Sequence, residues 1–158
     1  MYKSPSHLSE SARQAVSSGL NELLASGLDL HGQIKVAHWN IKGPGFAALH
    51  PLFETFAVGL AAHNDSVAER AVTLGAKVYG TARHVAANSK ISEYPQETTR
   101  DLEHVRLLAE RIEQYLVEAR RARAVAEQHA DTDTVDLLTG VVSEFEKHAW
   151  FLRATLEG

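Results

Sequence analysis

Five side chains carry the densest chemistry in this sequence: His38, His50, Glu54, Asp65 and Glu69. His50 and Glu54 are four residues apart, as are Asp65 and Glu69, so on a helix each pair points at one common spot. Eleven residues separate Glu54 from Asp65, close to three full turns. Both pairs therefore share a side of the helix, but lie about 16 Å apart along its axis. One metal centre cannot span that gap. If the helix crosses a second copy of itself antiparallel about a two-fold axis, the His50/Glu54 end of one chain meets the Asp65/Glu69 end of the other, giving two identical sites per dimer. His38, at the end of the preceding segment, is the candidate third contributor from the first chain. Two histidines and three carboxylates without a thiolate suit Fe(II), manganese or zinc; the carboxylate share favours the harder ions, and a redox role requires iron or manganese. The competing reading is that such helical pairs decorate a surface or are satisfied core groups.

The elements that must position these residues are helices. All four prolines (Pro5, Pro44, Pro51, Pro95) lie outside or near the edge of long periodic stretches. The spacing predicts a first helix from about Ser9 to Trp39, stopped by Gly43-Pro44-Gly45, and a second from near Phe46 to Leu74, with Pro51 close enough to its start to be tolerated. A short helix is expected within 82–89. A third long helix opens at Thr98 or Thr99 as N-cap and runs to about His129, and a fourth carries Val135, Leu138, Val142, Phe145, Ala149, Leu152 and Leu156 at unbroken helical spacing. A short first connection and a long second one of about twenty residues make this an all-α, ferritin-like four-helix bundle with one long crossover. Residues 1–158 form a single domain with a short N-terminal tail over 1–8. On the second helix, Leu49, Phe53, Phe56, Leu60, Val67, Ala71 and Leu74 face the core. The neighbouring stripe of His50, Glu54, Val58, Ala61, Asp65, Glu69 and Val72 mixes acids with small apolar residues, so it too is expected to be buried, its carboxylates needing a cation.

Composition narrows the chemistry. The chain has nine histidines and no cysteine, which excludes thiolate zinc sites, iron–sulfur clusters and cysteine nucleophiles. A net charge of −4 argues against a basic nucleic-acid-binding surface. With no long apolar run and no signal-like start, a cytoplasmic location away from membranes is expected.

The string His38-Trp39-Asn40-Ile41-Lys42-Gly43-Pro44-Gly45-Phe46-Ala47-Ala48-Leu49-His50, followed by Phe53-Glu54 and by Asp65-Ser66-Val67-Ala68-Glu69-Arg70-Ala71, resembles the signature of the Dps family, the DNA-binding proteins from starved cells. The likeness extends through Asp131-Thr132-Asp133-Thr134 to Lys147-His148-Ala149-Trp150-Phe151. It implies a bacterial homo-dodecamer of four-helix bundles that oxidises Fe(II), with hydrogen peroxide or dioxygen, at ferroxidase centres on two-fold interfaces, and stores ferric oxide within, so protecting the cell from oxidative damage. It also implies the ligands: His38, His50 and Glu54 from one subunit, Asp65 and Glu69 from its partner. Glu54 replaces the family's commoner Asp.

The resemblance further implies that Trp39 intercepts stray oxidising equivalents, against the alternative of a packed aromatic at a helix end, and that acids near the last helix's start line an iron-admitting pore, with Asp131 and Asp136 the candidates. The other reading of these acids is charge complementarity at a helix N-terminus. Arg120, Arg121 and Arg123 read as a solvated face, and twelve chains at −4 give a shell of −48 that repels phosphate, so DNA binding is expected to be weak or absent. The remaining histidines (His7, His31, His63, His84, His104, His129, His148) read as structural or surface groups, with His31 as a candidate auxiliary metal site. Two rival functions stand beside the ferroxidase: a DNA-compacting shell with secondary iron chemistry, and a non-catalytic zinc or manganese buffer.

Overall fold

Ser9 accepts a hydrogen bond from the Ala12 backbone N–H (3.2 Å) and so caps the first helix, α1, Glu10–Asn40. A computed structural model of the chain describes residues 1–157. It adds α2 over Phe46–Thr73, a short α3 over Ala82–Asn88, α4 over Asp101–Gln128 and α5 over Thr132–Leu156, with no strand among the described residues. The α1 helix packs against α2 and α4, and α5 against α4 and, less extensively, α2. This is the expected ferritin-like bundle, and α3 rides on the crossover between α2 and α4. The expected core stripe of α2 is buried throughout, from Leu49 to Leu74.

The tight α1–α2 turn sets the geometry of everything near it. Gly43 sits at φ 137°, a backbone conformation open to glycine. The Asp101 carboxylate, from the start of α4, reaches into the turn and accepts the Gly45 N–H at 2.7 Å. Lys42 pairs with the same segment, donating to the Thr99 carbonyl (2.8 Å) and accepting from the Asp101 N–H (3.0 Å). That pairing holds Arg100 extended and delays the helix to Asp101. Arg100, rather than Thr98 or Thr99, is therefore the N-cap of α4, and it provides no side-chain cap. Pro51 falls in the second turn of α2, not the first. The Ala47 carbonyl that loses its helical donor there belongs to an exposed residue, where water can replace it.

The acids at the start of α5 divide. Asp131 is fully buried: one carboxylate oxygen binds the Arg70 guanidinium (2.6 Å) and the Thr134 N–H (3.2 Å), the other the Thr134 hydroxyl (2.5 Å). This corrects the expectation of Asp131 as a pore group. With both oxygens committed inside the bundle, it caps α5 and anchors the far end of α2. Asp136 is exposed. The basic cluster is paired, Arg120 with Glu146 (2.7 Å), Arg121 with Glu118 (3.9 Å) and Arg123 with Glu127 (3.8 Å).

Three of the histidines read as structural or surface groups have side-chain partners. Glu144 accepts from His63 (2.8 Å) and contacts His148 (3.3 Å), and a Cβ at Gly59 would strike the same carboxylate. His104 bonds the Tyr94 hydroxyl. His148 is buried and stacked on Phe56, with ring centroids 4.1 Å apart. Burial holds its imidazole below the ordinary value of 6.5, with Glu144 opposing. Burial pushes the Glu144 carboxyl up, but the His63 hydrogen bond and the two imidazoles outweigh it and leave it below the usual range.

Removing the cation from the buried Arg70–Asp131 pair leaves an uncompensated carboxylate, so Arg70→Met is expected to lower unfolding free energy by about 3–5 kcal/mol in urea titrations, whereas Asp133→Asn at the exposed neighbour changes it by less than about 0.5 kcal/mol. A group whose protonation is suppressed by folding weakens the fold as pH drops, because the unfolded chain takes up the proton more readily. Both His148 and Glu144 act in this sense, the histidine first, below its unfolded value. The urea midpoint is expected to fall between about pH 7 and pH 5, and to fall less steeply in His148→Phe, whose ring keeps the stack on Phe56.

Candidate metal centre

The α1–α2 turn brings His38 and His50 face to face, with ring centroids 3.8 Å apart and planes within 21°. Each ring is held by the other's backbone: His38 Nδ1 lies 2.8 Å from the His50 carbonyl, and His50 Nδ1 lies 2.9 Å from the His38 carbonyl. A carbonyl can only accept, so both Nδ1 atoms carry hydrogen, and in the neutral rings both Nε2 atoms present bare lone pairs. This arrangement orients a metal-ligating imidazole and fixes its tautomer. The His38 Nε2 faces Glu54, 3.5 Å from Oε2. Two imidazole nitrogens and a carboxylate lie at one corner of the subunit, donor types that suit Fe(II) although these three alone are not arranged to hold it.

A group that the sequence reading missed also belongs here. The Lys35 ammonium binds the Glu54 carboxylate directly. The Lys35 hydrogen bond holds the Glu54 carboxyl below its ordinary value, partly opposed by desolvation, with the charges of Lys35, His38 and His31 adding to it. The sequence does contain a signal for it: Lys35 precedes His38 by three residues and so shares its face of α1. A cation entering the corner must displace this ammonium.

Asp65 and Glu69 lie elsewhere on α2, three to four turns along, and both are exposed. The structure unites His38, His50 and Glu54 but does not bring Asp65 or Glu69 to them. Within one chain, no group of three His, Asp or Glu side chains is arranged to hold a metal ion among the described residues. The expectation that this second stripe of α2 is buried is corrected for the subunit alone. Val58 is 61% and Val72 51% exposed, and Ala61 lies open between them. The bundle of one chain has no further helix to lay over this face, so its apolar residues remain uncovered. Beside Asp65, an apolar recess of about 380 Å³ is lined by Leu24, Leu28, His31, Ala68 and Val78. His31 thus lies toward the Asp65 end, and burial lowers its pKa, with Lys35 adding to the effect and Glu54 opposing it. Trp39 is 67% exposed next to His38, and the Lys35 ammonium stands 5.7 Å from its ring centroid.

The fold and this corner have counterparts among known proteins. A ferritin-like domain model matches residues 17–158. A DNA protection during starvation protein of Agrobacterium fabrum is 35% identical over 156 residues, covering 99% of this chain and 96% of that protein. DNA protection during starvation protein 2 of Bacillus anthracis is 36% identical over 138 residues, covering 87% of this chain and 93% of its own. Among solved structures, Mycobacterium smegmatis Dps superposes with a TM-score of 0.93 at 28% identity, covering 98% of this chain and 94% of that one. The Dps protein of Vibrio cholerae O1, described as a member of a broad superfamily of ferritin-like diiron-carboxylate proteins, superposes with a TM-score of 0.92 at 27% identity, covering 99% and 98%.

Because the Lys35–Glu54 pair is half-exposed and screened by solvent, its contribution is modest. Lys35→Met is therefore expected to tighten binding of a redox-inert divalent probe such as Co(II) by up to about fivefold, measured by calorimetric titration of the assembled protein.

Proposed function

The chain belongs to the Dps family of ferritin-like proteins, and on that footing we propose that it oxidises Fe(II) at centres shared by two subunits, with hydrogen peroxide as the electron acceptor, and stores the ferric product inside a hollow dodecamer. The observation that carries the reading is the His38–His50 pair: two imidazoles locked by reciprocal Nδ1–carbonyl bonds, both Nε2 atoms bare, beside Glu54. The bonds that hold the two helix ends together thus also turn Nε2 of each ring toward the corner where Glu54 lies. The exposed Asp65 and Glu69, on an uncovered and partly apolar face of the same helix, are the complementary half. Antiparallel pairing of two α2 helices covers Val58, Ala61 and Val72 and carries the acids of each chain to the histidines of the other.

Each residue then has a role. His38 and His50 supply neutral nitrogen donors, and Glu54 supplies the charge that Lys35 neutralises before iron arrives. Asp65 and Glu69 of the second copy complete the oxygen donors and balance a second Fe(II). Two irons held together deliver two electrons to one peroxide: its O–O bond breaks, two protons are taken up and two waters form. A solitary Fe(II) delivers one electron and yields hydroxide and a hydroxyl radical, so placing ligands for two irons at one interface is what makes the reaction protective. The exposed Asp136 is the remaining pore candidate for iron entry, and negative charge around a pore would concentrate the cation. A shell of twelve chains at −4, with its arginine cluster paired to glutamates, favours iron over DNA as its partner at neutral pH.

Rapid appearance of ferric absorbance after Fe(II) and peroxide are mixed with the protein is expected to be lost in His50→Ala and in Asp65→Ala alike. Co-assembled mixtures of the two variants should regain activity, because a His50→Ala chain still supplies intact Asp65 and Glu69 to a partner whose histidines are intact. If the mixtures stay inactive while wild-type chains taken through the same reassembly recover, the shared-site assignment fails.

A further inference from the structure

One buried pair outside the centre has the chemistry of an electron donor. The Tyr94 hydroxyl lies 2.6 Å from His104 Nδ1, with the two rings nearly parallel, 9° apart. Tyr94 is 7% exposed and His104 fully buried. The imidazole Nε2 makes no hydrogen bond of good geometry. Burial favours the neutral imidazole, and the groups that stabilise its protonated form are Glu103 and the Thr98 backbone. A neutral imidazole with Nδ1 bare accepts the phenol proton, and its Nε2–H then faces the Thr98 backbone. The histidine can thus receive a proton along a bond already formed.

A phenol in protein is difficult to oxidise unless its proton has somewhere to go. By that criterion the chain's four tyrosines differ sharply. Tyr115 is completely buried with an unpartnered hydroxyl, so it has no base. Tyr2 and Tyr79 are 59% and 53% exposed, where a radical would meet solvent. Tyr94 alone, among the described residues, combines burial with a histidine on its oxygen. Trp39, the aromatic nearest the iron ligands in sequence, carries the Lys35 ammonium 5.7 Å from its ring centroid. A cation over an aromatic face is attracted by its electron density and opposes withdrawal of an electron from it.

The pair is also placed near the centre. Lys42 and Arg100 form the bridge that joins the end of α1 to the start of α4. His38 lies one helical turn before Lys42, and His104 one turn after Arg100. Since α1 runs up to this bridge and α4 runs down from it, His38 and His104 stand at about the same height on adjacent helices, whose axes are separated by about 8–10 Å. The crossover that carries Tyr94 is bound to the Ser26, Asp29 and Gln33 face of α1, so an electron passing between Tyr94 and the histidine corner crosses the width of that one helix.

We propose that Tyr94 is a redox-active residue that quenches one-electron oxidants formed when a centre holds a single Fe(II), with His104 as the proton acceptor. This rests on the iron–peroxide reading above. A hydroxyl radical takes one electron from Tyr94 and becomes hydroxide, while the phenol proton moves to His104 Nδ1, leaving a neutral phenoxyl radical and an imidazolium. The next Fe(II) returns the electron, becoming Fe(III), as the proton returns from Nδ1 to the phenol oxygen.

The test uses the assembled protein in two arms. In the first, protein loaded with one Fe(II) per centre is mixed with peroxide and freeze-quenched for electron paramagnetic resonance. A tyrosyl signal is expected in wild type and in the Tyr2→Phe/Tyr79→Phe double variant, and its loss in Tyr94→Phe. A coupling to an exchangeable deuteron should appear after transfer to heavy water and vanish in His104→Leu, which a merely structural role of the histidine would not produce. In the second arm, metal-free protein is oxidised by a photogenerated ruthenium(III) tris-bipyridine complex, so the outcome does not depend on iron oxidation. A long-lived phenoxyl signal removed by Tyr94→Phe is expected again. If the first arm fails but the second succeeds, the iron–peroxide reading is wrong and the redox character of Tyr94 stands. If the signal survives in Tyr94→Phe in either arm, or wild type gives none in the second, the proposal is overturned. Native circular dichroism and shell size of Tyr94→Phe, which keeps the ring, exclude misfolding as the cause.

Discussion

The rest of the site depends on a pair of hydrogen bonds in which each histidine is clamped by the other's backbone. His38 and His50 belong to different helices, and each donates its Nδ1–H to the carbonyl of the other residue. The exchange locks the crossing of α1 and α2 at their shared end, and the same two bonds dictate which nitrogen of each ring is free. Structural and chemical requirements therefore coincide in one contact. The contact is in turn secured from outside by Asp101, which holds the Gly43–Gly45 turn from the start of α4, so that three helices set the position of two imidazoles.

The second organising feature is the division of labour around α2. One side, from Leu49 to Leu74, is sealed in the bundle, and its far end is tied to α5 by the Arg70–Asp131 pair. The adjoining side, with Val58, Ala61, Asp65, Glu69 and Val72, is left open by its own chain. A helix finished on one side and unfinished on the other suits a subunit built for assembly, and the unfinished side holds the acids that the histidine corner lacks.

Much of this was legible from residue spacing. The helical periods marked all four long helices because each buries a continuous stripe, and the four-residue intervals in α2 singled out His50 with Glu54, which the fold sets beside His38. What spacing could not reveal were contacts between segments distant in sequence. Asp131 reads as a solvent-facing acid until Arg70, on another helix, is seen to neutralise it. Thr98 and Thr99 read as caps until Lys42 is found pairing with that stretch of backbone. His63 gives no such signal because its partner Glu144 comes from another helix, whereas the four-residue interval from Glu144 to His148 is open to the same reading as His50 and Glu54. The face of α2 that reads as buried is open in the single chain, because the apolar residues of a helix show that a face can be covered and not whether its own bundle covers it.

If the proposed shell is right, the ammonium of Lys35 on Glu54 bears on the order in which it is made. A bare carboxylate at each corner would face the acids of an incoming subunit, and the interface would then need metal ions to form. With Lys35 as an internal counter-ion, the corner is electrically balanced before any cargo is present, so subunits can close around an empty interior. Filling then proceeds by exchanging one cation for another, and the lysine, released from Glu54, is free to turn toward solvent or toward the face of Trp39. On the proposed shared-site reading, a single flexible side chain would separate construction from loading in time.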